Sequence, residues 1–381
     1  MKQKLLAARD FLRRTDWLLF FLCLGCAVFG IVILSSVTAS YGGSYIYVQT
    51  AAMLIGIALF FVFTVIDVDI IAGRWPLIFF LEVVLLLLLI PFGESGDTGN
   101  TGWIRFLGIG IQPSEIVKVM FIVLMSKHIA WLKEYKGLDN ILSVAQLLAH
   151  FGFLFVLIMV VSNDLGSALV FFFIFLILLF AAGLKLYWFL FGAAALAVAV
   201  PFAWSNFLTS RQKERILAPY DSTIDPLGLD INWQTSKGKL ALAGGRLTGM
   251  GFGNGSQTQS DALTSKHADF IFACIGEELG MIGCCIVIAL LVAIIIRCVM
   301  VGLRSRNTFS MLVCFGVAAM VTFQTFENIG MVLGLTPVIG LTLPFFSYGG
   351  SSMFTTFAAM GLVSGVHYKP KPERFRSTYI G

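Results

Sequence analysis

The stretch SKHADFIFACIGEELG, Ser265–Gly280, passes from a polar approach into an apolar run and carries three carboxylates, Asp269, Glu277 and Glu278. Continued through MIGCCIVIALLVAIII to Ile296, it contains no further charge. A helix rises about 1.5 Å per residue, so a run of this length crosses about 30 Å of hydrocarbon. The stretch therefore reads as the entry to a membrane helix whose carboxylates crowd toward one end.

The rest of the chain agrees. Its 381 residues are 58% hydrophobic and 12% charged, with 36 phenylalanines, a balance that excludes a soluble globular domain of this length. Ten apolar runs are long enough to span: Trp17–Val37, Tyr45–Ile66, Pro76–Phe92, Ser114–Trp131, Ser143–Val161, Gly166–Leu184, Leu186–Trp204, Asp269–Ile296, Phe309–Leu335 and Ser351–Tyr368. The expectation is an all-α polytopic integral membrane protein, one membrane domain over residues 1–381, with ten transmembrane helices and a large extracellular loop, 205–268, between the seventh and eighth. The fourth run is the most polar, because Glu115, Lys118, Lys127 and His128 interrupt it.

Lys/Arg bias orients such a chain. With the N-terminus inside, the cytoplasmic loops and tails hold Lys2, Lys4, Arg9, Arg13, Arg14, Arg74, Lys127, Lys133, Lys136, Lys185, Arg297, Arg304, Arg306, Lys369, Lys371, Arg374 and Arg376. Both termini are expected in the cytoplasm. The same scatter over loop ends accounts for the net charge of +5 without a nucleic-acid partner. Basic residues before the first apolar run imitate a signal peptide, but that run is too long for one and reads as an uncleaved span.

The seven cysteines all lie in or beside apolar runs, and CLGC at 23–26 reads as small-residue packing rather than a redox pair. Four scattered histidines indicate no protein-built metal site. The segment 205–268 is too rich in Phe207, Ile216, Leu217, Tyr220, Ile231, Trp233, Leu240 and Leu242 to be a free linker, and is expected to fold against the membrane face. Its GGRLTGMGFGNG lacks the strand-then-helix context of a phosphate loop, which leaves close packing or a flexible lid.

Ionisable groups at membrane depth are costly and tend to face a cavity or mark function. Glu115 and Lys118, three apart behind Pro113 and Ser114, read either as a functional pair or as a self-neutralising one. Asp164 either caps the next helix or joins Lys118 in a polar cavity. On an ideal helix Glu277 lies about 80° around from Asp269 and roughly 12 Å deeper, with Glu278 on the opposite face. Asp269, near the aqueous end, is thus the acid or base candidate, with a boundary cap as its alternative. Glu277 and Glu278 are expected to bond to neighbouring helices.

The last loop, GLTPVIGLTLPFFSYGGSSMF, concentrates Pro337, Gly340, Pro344, Gly349 and Gly350. Irregular backbone of this kind is tolerated only within protein or around a wet cavity. Its amides, around Ser347, Gly349 and Gly350, either hold an anion such as a pyrophosphate or form a rigid cap.

Taken together, IQPSEIVK, NDLGSAL, HADFIFACIGEELG, NIGMVLGLTPVIGLTLPFFSYGGSS and the basic C-terminal tail resemble, in order and spacing, the shape, elongation, division and sporulation (SEDS) family, whose members include RodA and FtsW. The resemblance runs from the first span to the last. It implies a peptidoglycan glycosyltransferase that polymerises lipid II at the outer face of the bacterial cytoplasmic membrane, working with a class B penicillin-binding protein. It also implies that Asp269 matches the family's outer-loop aspartate, that Glu115 and Lys118 match the glutamate and lysine of the fourth span, and that Asp164 matches the aspartate before the sixth.

The chemistry suits such a role. A sugar hydroxyl displacing an anomeric pyrophosphate must lose a proton, which fits Asp269 as general base in an inverting single displacement. The departing diphosphate needs cationic or N–H stabilisation, for which Lys118, Arg215 or a diphosphate-borne Mg²⁺ or Mn²⁺ are the candidates. Thr264 and Ser265 replace the family's usual proline and glutamate, and Ala268 its threonine. Gly102 replaces an arginine, with Arg105 nearby, and Ser162 and Asn163 replace glutamine and proline. These departures bear on the geometry of the substrate mouth. The rival class is transport, either flipping of the lipid-linked precursor or secondary transport, since buried charges in a polytopic bundle serve that equally well.

Overall fold

The computed structural model describes residues 15–367, apart from 40, 42, 95–100, 107–108, 207, 222 and 261. The basic residues of both tails, Tyr368 and Phe207 lie outside the described residues.

Apolar runs become helices almost where the sequence placed them. In chain order they are α1 (Trp17–Val37), α2 (Ser44–Val65), the short α3 (Val68–Gly73), and α4 (Trp75–Leu87) continued by α5 (Leu89–Phe92). A two-stranded antiparallel hairpin follows, β1 (Ile104–Phe106) and β2 (Ile109–Ile111), with Ile104 opposite Ile111. Then come α6 (Pro113–Tyr135), α7 (Ile141–Ser162), α8 (Leu165–Ala182) and α9 (Leu186–Asn206). The segment after α9 holds α10 (Ser210–Leu217) and α11 (Trp233–Gly245), and the chain ends with α12 (Ile271–Leu303), α13 (Thr308–Leu333) and α14 (Gly350–His367).

Eight of the helical segments among the described residues are long and apolar enough to cross a membrane: α1, α2, α4 with α5, α7, α8, α9, α12 and α13. The other two expected spans coincide with the helices α6 and α14, 23 and 18 residues long, which are not among those eight. Both are more polar than their neighbours, and both are mostly buried in protein, where a polar face does not meet lipid.

The centre of the bundle is α13, packed against α6, α8, α12 and α14. By contrast α9 has no buried residue and is held at its start by Lys185 and by Trp188 Nε1 donating to Asp139 O. Because successive long helices run in opposite senses, the starts of α6, α8, α12 and α14 and the finish of α13 meet at one end of the bundle. The opposite end is clasped by Asp16, whose buried carboxylate receives Arg297 Nε at 2.8 Å, while Asp16 N donates to Ser364 Oγ.

The break in α12 explains the glycine-rich segment. Gly280 has φ 69 and ψ −167, so Met281 and Ile282 cannot donate back to Glu277 and Glu278 in the helical ladder. Instead Met281 N and Ile282 N donate to Arg246 O and Leu247 O, and Met250 N and Gly251 N donate to Glu277 O and Glu278 O. Residues 246–251 thus satisfy the backbone groups that the kink frees, as burial requires. A Cβ at Gly245 would fall 1.8 Å from Gly276 O, so only glycine lets the two backbones meet there. Close packing, not a flexible lid, is what this segment does.

The same geometry settles Glu277 and Glu278. Glu277 accepts from Ser256 Oγ, Gln257 N, Thr258 N and Thr258 Oγ1 at 3.1, 2.8, 2.7 and 2.7 Å, so its partner is the segment before α12 rather than a neighbouring helix. Glu278 accepts from Ser36 Oγ of α1 and from Gln259 Nε2. Both carboxylates bolt the long segment to the bundle. Cys23 and Cys26 are fully buried, as packing residues are.

Candidate active site

The site is assembled from helix ends. Gln112 precedes α6, whose first turn contains Pro113, where the missing N–H does no harm, and Glu115, favoured by the helix dipole. Lys118 Nζ lies 2.8 Å from Glu115 Oε1, with the lysine fully buried and the glutamate nearly so. The sequence therefore brought the two together, and one of the three ammonium hydrogens is used by this contact.

Asp164 is the N-cap of α8: its Oδ1 accepts from Ser167 N at 2.9 Å and its Oδ2 from Ser167 Oγ at 2.7 Å. The same Oδ2 accepts from Gln112 Nε2 at 3.0 Å, which ties α8 to the start of α6. Asp164 thus caps α8, and its further contact is with Gln112, while Lys118 is engaged by Glu115. Just before it Asn163 holds φ 51, a left-handed value closed to proline.

Asp269 lies two residues before α12, partly buried, in a turn where Ala268 N and Phe270 N donate to Ser265 O. The last loop passes between the two aspartates. An added Cβ at Gly166 would lie 2.7 Å from Ile339 O, and one at Gly340 would lie 3.5 Å from Asp269 Oδ2. Burial first, and then the nearby Asp164 charge, push the Asp269 carboxyl up to about 6.

Around this pair the backbone is braced. Asn328 of α13 donates its Nδ2 to both Asp269 O and Leu341 O at 2.8 Å, joining the two loops. Ser347 Oγ donates to Ala268 O and accepts from Leu343 N, and Tyr348 N donates to His267 O. Gly349 N donates to Gln49 Oε1, and Ser347 N to Leu343 O. The Ser347 and Gly349 amides, two of the loop's candidate anion donors, are thus engaged within the fold. Behind it Tyr41, Tyr45, His267 and Tyr348 pack edge to face, and Lys266 Nζ is held by Thr258 O and Ser260 O.

Not every expected residue arrives. Arg215 stands in the last turn of α10, and none of the hydrogen bonds or ion pairs described for the site involves it. Thr264 faces away to Gln234 of α11, giving and receiving one hydrogen bond. Gln112, Ser167 and Asn328, by contrast, were not singled out in the sequence. Each lies inside or beside a motif there, yet neutral side chains carry no signal comparable with a buried charge. Among the described residues, no group of three or more His, Cys, Asp and Glu could hold a metal ion.

Known proteins share this architecture. The family FTSW_RODA_SPOVE, described as cell cycle protein, matches residues 15–371. The chain is 32% identical to the probable peptidoglycan glycosyltransferase FtsW of Wigglesworthia glossinidia brevipalpis, over 95% of this chain and 96% of that one. It is 31% identical to the peptidoglycan glycosyltransferase MrdB of Escherichia coli K12, over 82% of each. Among solved structures it is similar to a chain of "Structural coordination of polymerization and crosslinking by a peptidoglycan synthase complex", with TM-score 0.75 at 28% identity over 93% of this chain and 97% of that one. It is also similar to the Thermus thermophilus rod shape determining protein RodA, with TM-score 0.66 at 26% identity over 93% and 96% of the two chains. On the match over nearly its whole length, the chain belongs to the FtsW/RodA/SpoVE family.

Proposed function

We propose that this protein is a peptidoglycan glycosyltransferase that polymerises lipid II into glycan strands, with Asp269 as the general base. The observation that carries the reading is the position of Asp269 against the last loop, at the end of the bundle where Asp164 and the Glu115–Lys118 pair also lie. A carboxylate whose pKa is about 6 is ionised at neutral pH and is a better proton acceptor than an ordinary aspartate. The named activities of the similar FtsW and MrdB chains point the same way.

In the proposed step an acceptor sugar hydroxyl attacks the anomeric carbon of the donor. The new C–O bond forms as the bond from that carbon to the pyrophosphate oxygen breaks, and the electron pair leaves with the diphosphate. The hydroxyl proton passes to the Asp269 carboxylate. One displacement inverts the anomeric centre. Lys118, with two ammonium hydrogens not used by Glu115, is the cation nearest in kind to what the leaving diphosphate needs. The two aspartates would hold a Mg²⁺ or Mn²⁺ only in company with the diphosphate's own oxygens.

The same reading takes α6 and α14 as spans, giving ten, and both termini as cytoplasmic. It places the Asp269 end and the segment between α9 and α12 outside. In support, Arg74, Lys133, Lys136, Lys185, Arg297 and Arg304 all lie at helix ends opposite Asp269, as the positive-inside rule requires. A class B penicillin-binding protein is the proposed partner, in keeping with the likeness to a chain of a peptidoglycan synthase complex. The test is in vitro polymerisation of lipid II by the purified protein with that partner. Strands should form, and Asp269→Asn should abolish them without loss of folding. Movement of lipid II across vesicles without polymer would instead establish transport.

A further inference from the structure

The segment between α9 and α12 encloses a cavity that the proposed proton transfer does not use. It has a volume of about 440 Å³ and lies between the end of α10, the turn at 225–228, one face of α11 and Gly334 at the finish of α13. Most polar groups in its wall are engaged within the fold. Asp225 accepts from Leu229 N, Asp230 N and Asn232 N at 3.0, 3.0 and 2.9 Å, and the Tyr220 hydroxyl donates to Leu335 O. Lys239 differs from them. It is exposed in the wall, and no described residue pairs with its ammonium. Its Nζ rests against the backbone of Gly334, where an added Cβ would strike it. The end of α13 has no need of this charge, because Gly334 N donates to Met331 O and Leu335 N to Gly330 O.

The cavity stands outward of Asp269 along the bundle axis. Helices α6 and α13 run antiparallel, and an added Cβ on Gly316 would meet Ile122 Cγ2 at 2.7 Å, which sets their register. From that level toward the Asp269 end, Lys118 lies about 6 Å away, Asn328 about 18 Å and Gly334 about 27 Å, at about 1.5 Å per residue. Asn328 bonds Asp269 O, so the order outward is Lys118, Asp269, cavity. Helix α11 joins the last two: Gly238, the residue before Lys239, packs so closely on Phe270 that an added Cβ would meet its ring at 3.0 Å.

We propose that this cavity binds the peptide borne by lipid II, with Lys239 donating to one of its carboxylates. The substrate presents its groups in the same outward order as the protein: diphosphate at the membrane, then sugars, then an anionic peptide. Five peptide residues reach up to about 16 Å, against about 9 Å between the levels of Asn328 and Gly334. The Ser236 hydroxyl, in the same wall as Lys239, supplies a second donor. The diphosphate is matched by the Lys118 ammonium at its own depth. Because the peptide does not change during the displacement, a contact to it holds substrate and transition state equally. The inference rests on the glycosyltransferase reading and deepens it.

The experiment compares native lipid II with a version whose peptide carboxylates are amidated, using the complex of the full chain with its penicillin-binding partner. Wild type should prefer the native substrate by about fivefold in kcat/KM, the upper end for one exposed ion pair. Lys239→Gln should raise KM for native lipid II by about fivefold with kcat within about twofold, and should bring the preference below about twofold. Lys239→Arg, which keeps the charge, should keep the preference. The melting temperature of Lys239→Gln in detergent should match that of wild type, which separates a lost contact from a lost fold. An undiminished preference in Lys239→Gln, with both substrates weakened equally, would overturn the role of the cavity and leave the glycosyltransferase intact. Absence of polymer from wild type on either substrate would overturn both readings together.

Discussion

If Asp269 accepts the proton, activity must follow its ionisation. Its carboxyl is pushed up to about 6, mainly by burial and secondly by Asp164. Below that value it is protonated and cannot act as a base, so kcat/KM should fall as pH drops through 6. At pH 5 it should be about a tenth of the plateau, the ionised fraction for a group one unit below its pKa. Asp164→Asn removes the charge contribution while retaining an acceptor for the Ser167 N–H that caps α8. Because that contribution is the smaller of the two, the limb should move down by less than about one pH unit. Activity at pH 5, relative to each enzyme's own plateau, should then rise about threefold. The assay is initial polymerisation rate between pH 4.5 and 8 at low lipid II concentration. A limb unmoved by Asp164→Asn would refute the electrostatic link, and the same limb in Asp269→Asn would refute Asp269 as its origin.

Three further outcomes are expected. Glu277→Ala strands the Gln257 and Thr258 N–H groups and should cost about 3 kcal/mol, read as a lower melting temperature in detergent and faster proteolysis between 246 and 262. Gly280→Ala should be at least as harmful, since its φ of 69 disfavours a side chain and the new Cβ would fall 2.4 Å from Gly249 N and Leu247 O; expression of folded protein by size-exclusion profile is the measure. Lys118→Met leaves Glu115 buried without its partner and should destabilise by about 3–5 kcal/mol, whereas adding Glu115→Gln should restore most of the stability. If the double variant regains folding but not polymerisation, the pair acts on substrate; if it regains both, the pair only neutralises itself.

How far the sequence could be read differs from element to element. The helices of the bundle were legible because a membrane span is a local property, set by the length and composition of one run. Asp269, Glu115, Lys118 and Asp164 were legible for a related reason: a charge inside an apolar run stands out without knowledge of its neighbours. The sequence shows Glu277 to be structural but not what it bonds, because nothing local says that the segment at 256–258 folds back onto α12. Gln112 and Asn328 escaped notice because an uncharged polar residue acquires meaning only from what it touches.

The sequence by itself determined a polytopic helical bundle, the carboxylate just ahead of α12, and the family signature, since hydropathy, helix spacing and motif order are written along the chain. The tertiary structure decided what requires two distant segments to meet. It set the last loop between the Asp164 cap and Asp269, and it committed the Ser347 and Gly349 amides to contacts within the fold. It also turned the glycine-rich segment into the partner of a broken helix, because the backbone groups freed at Gly280 must be satisfied by whichever chain can approach them, and only a glycine-lined one can.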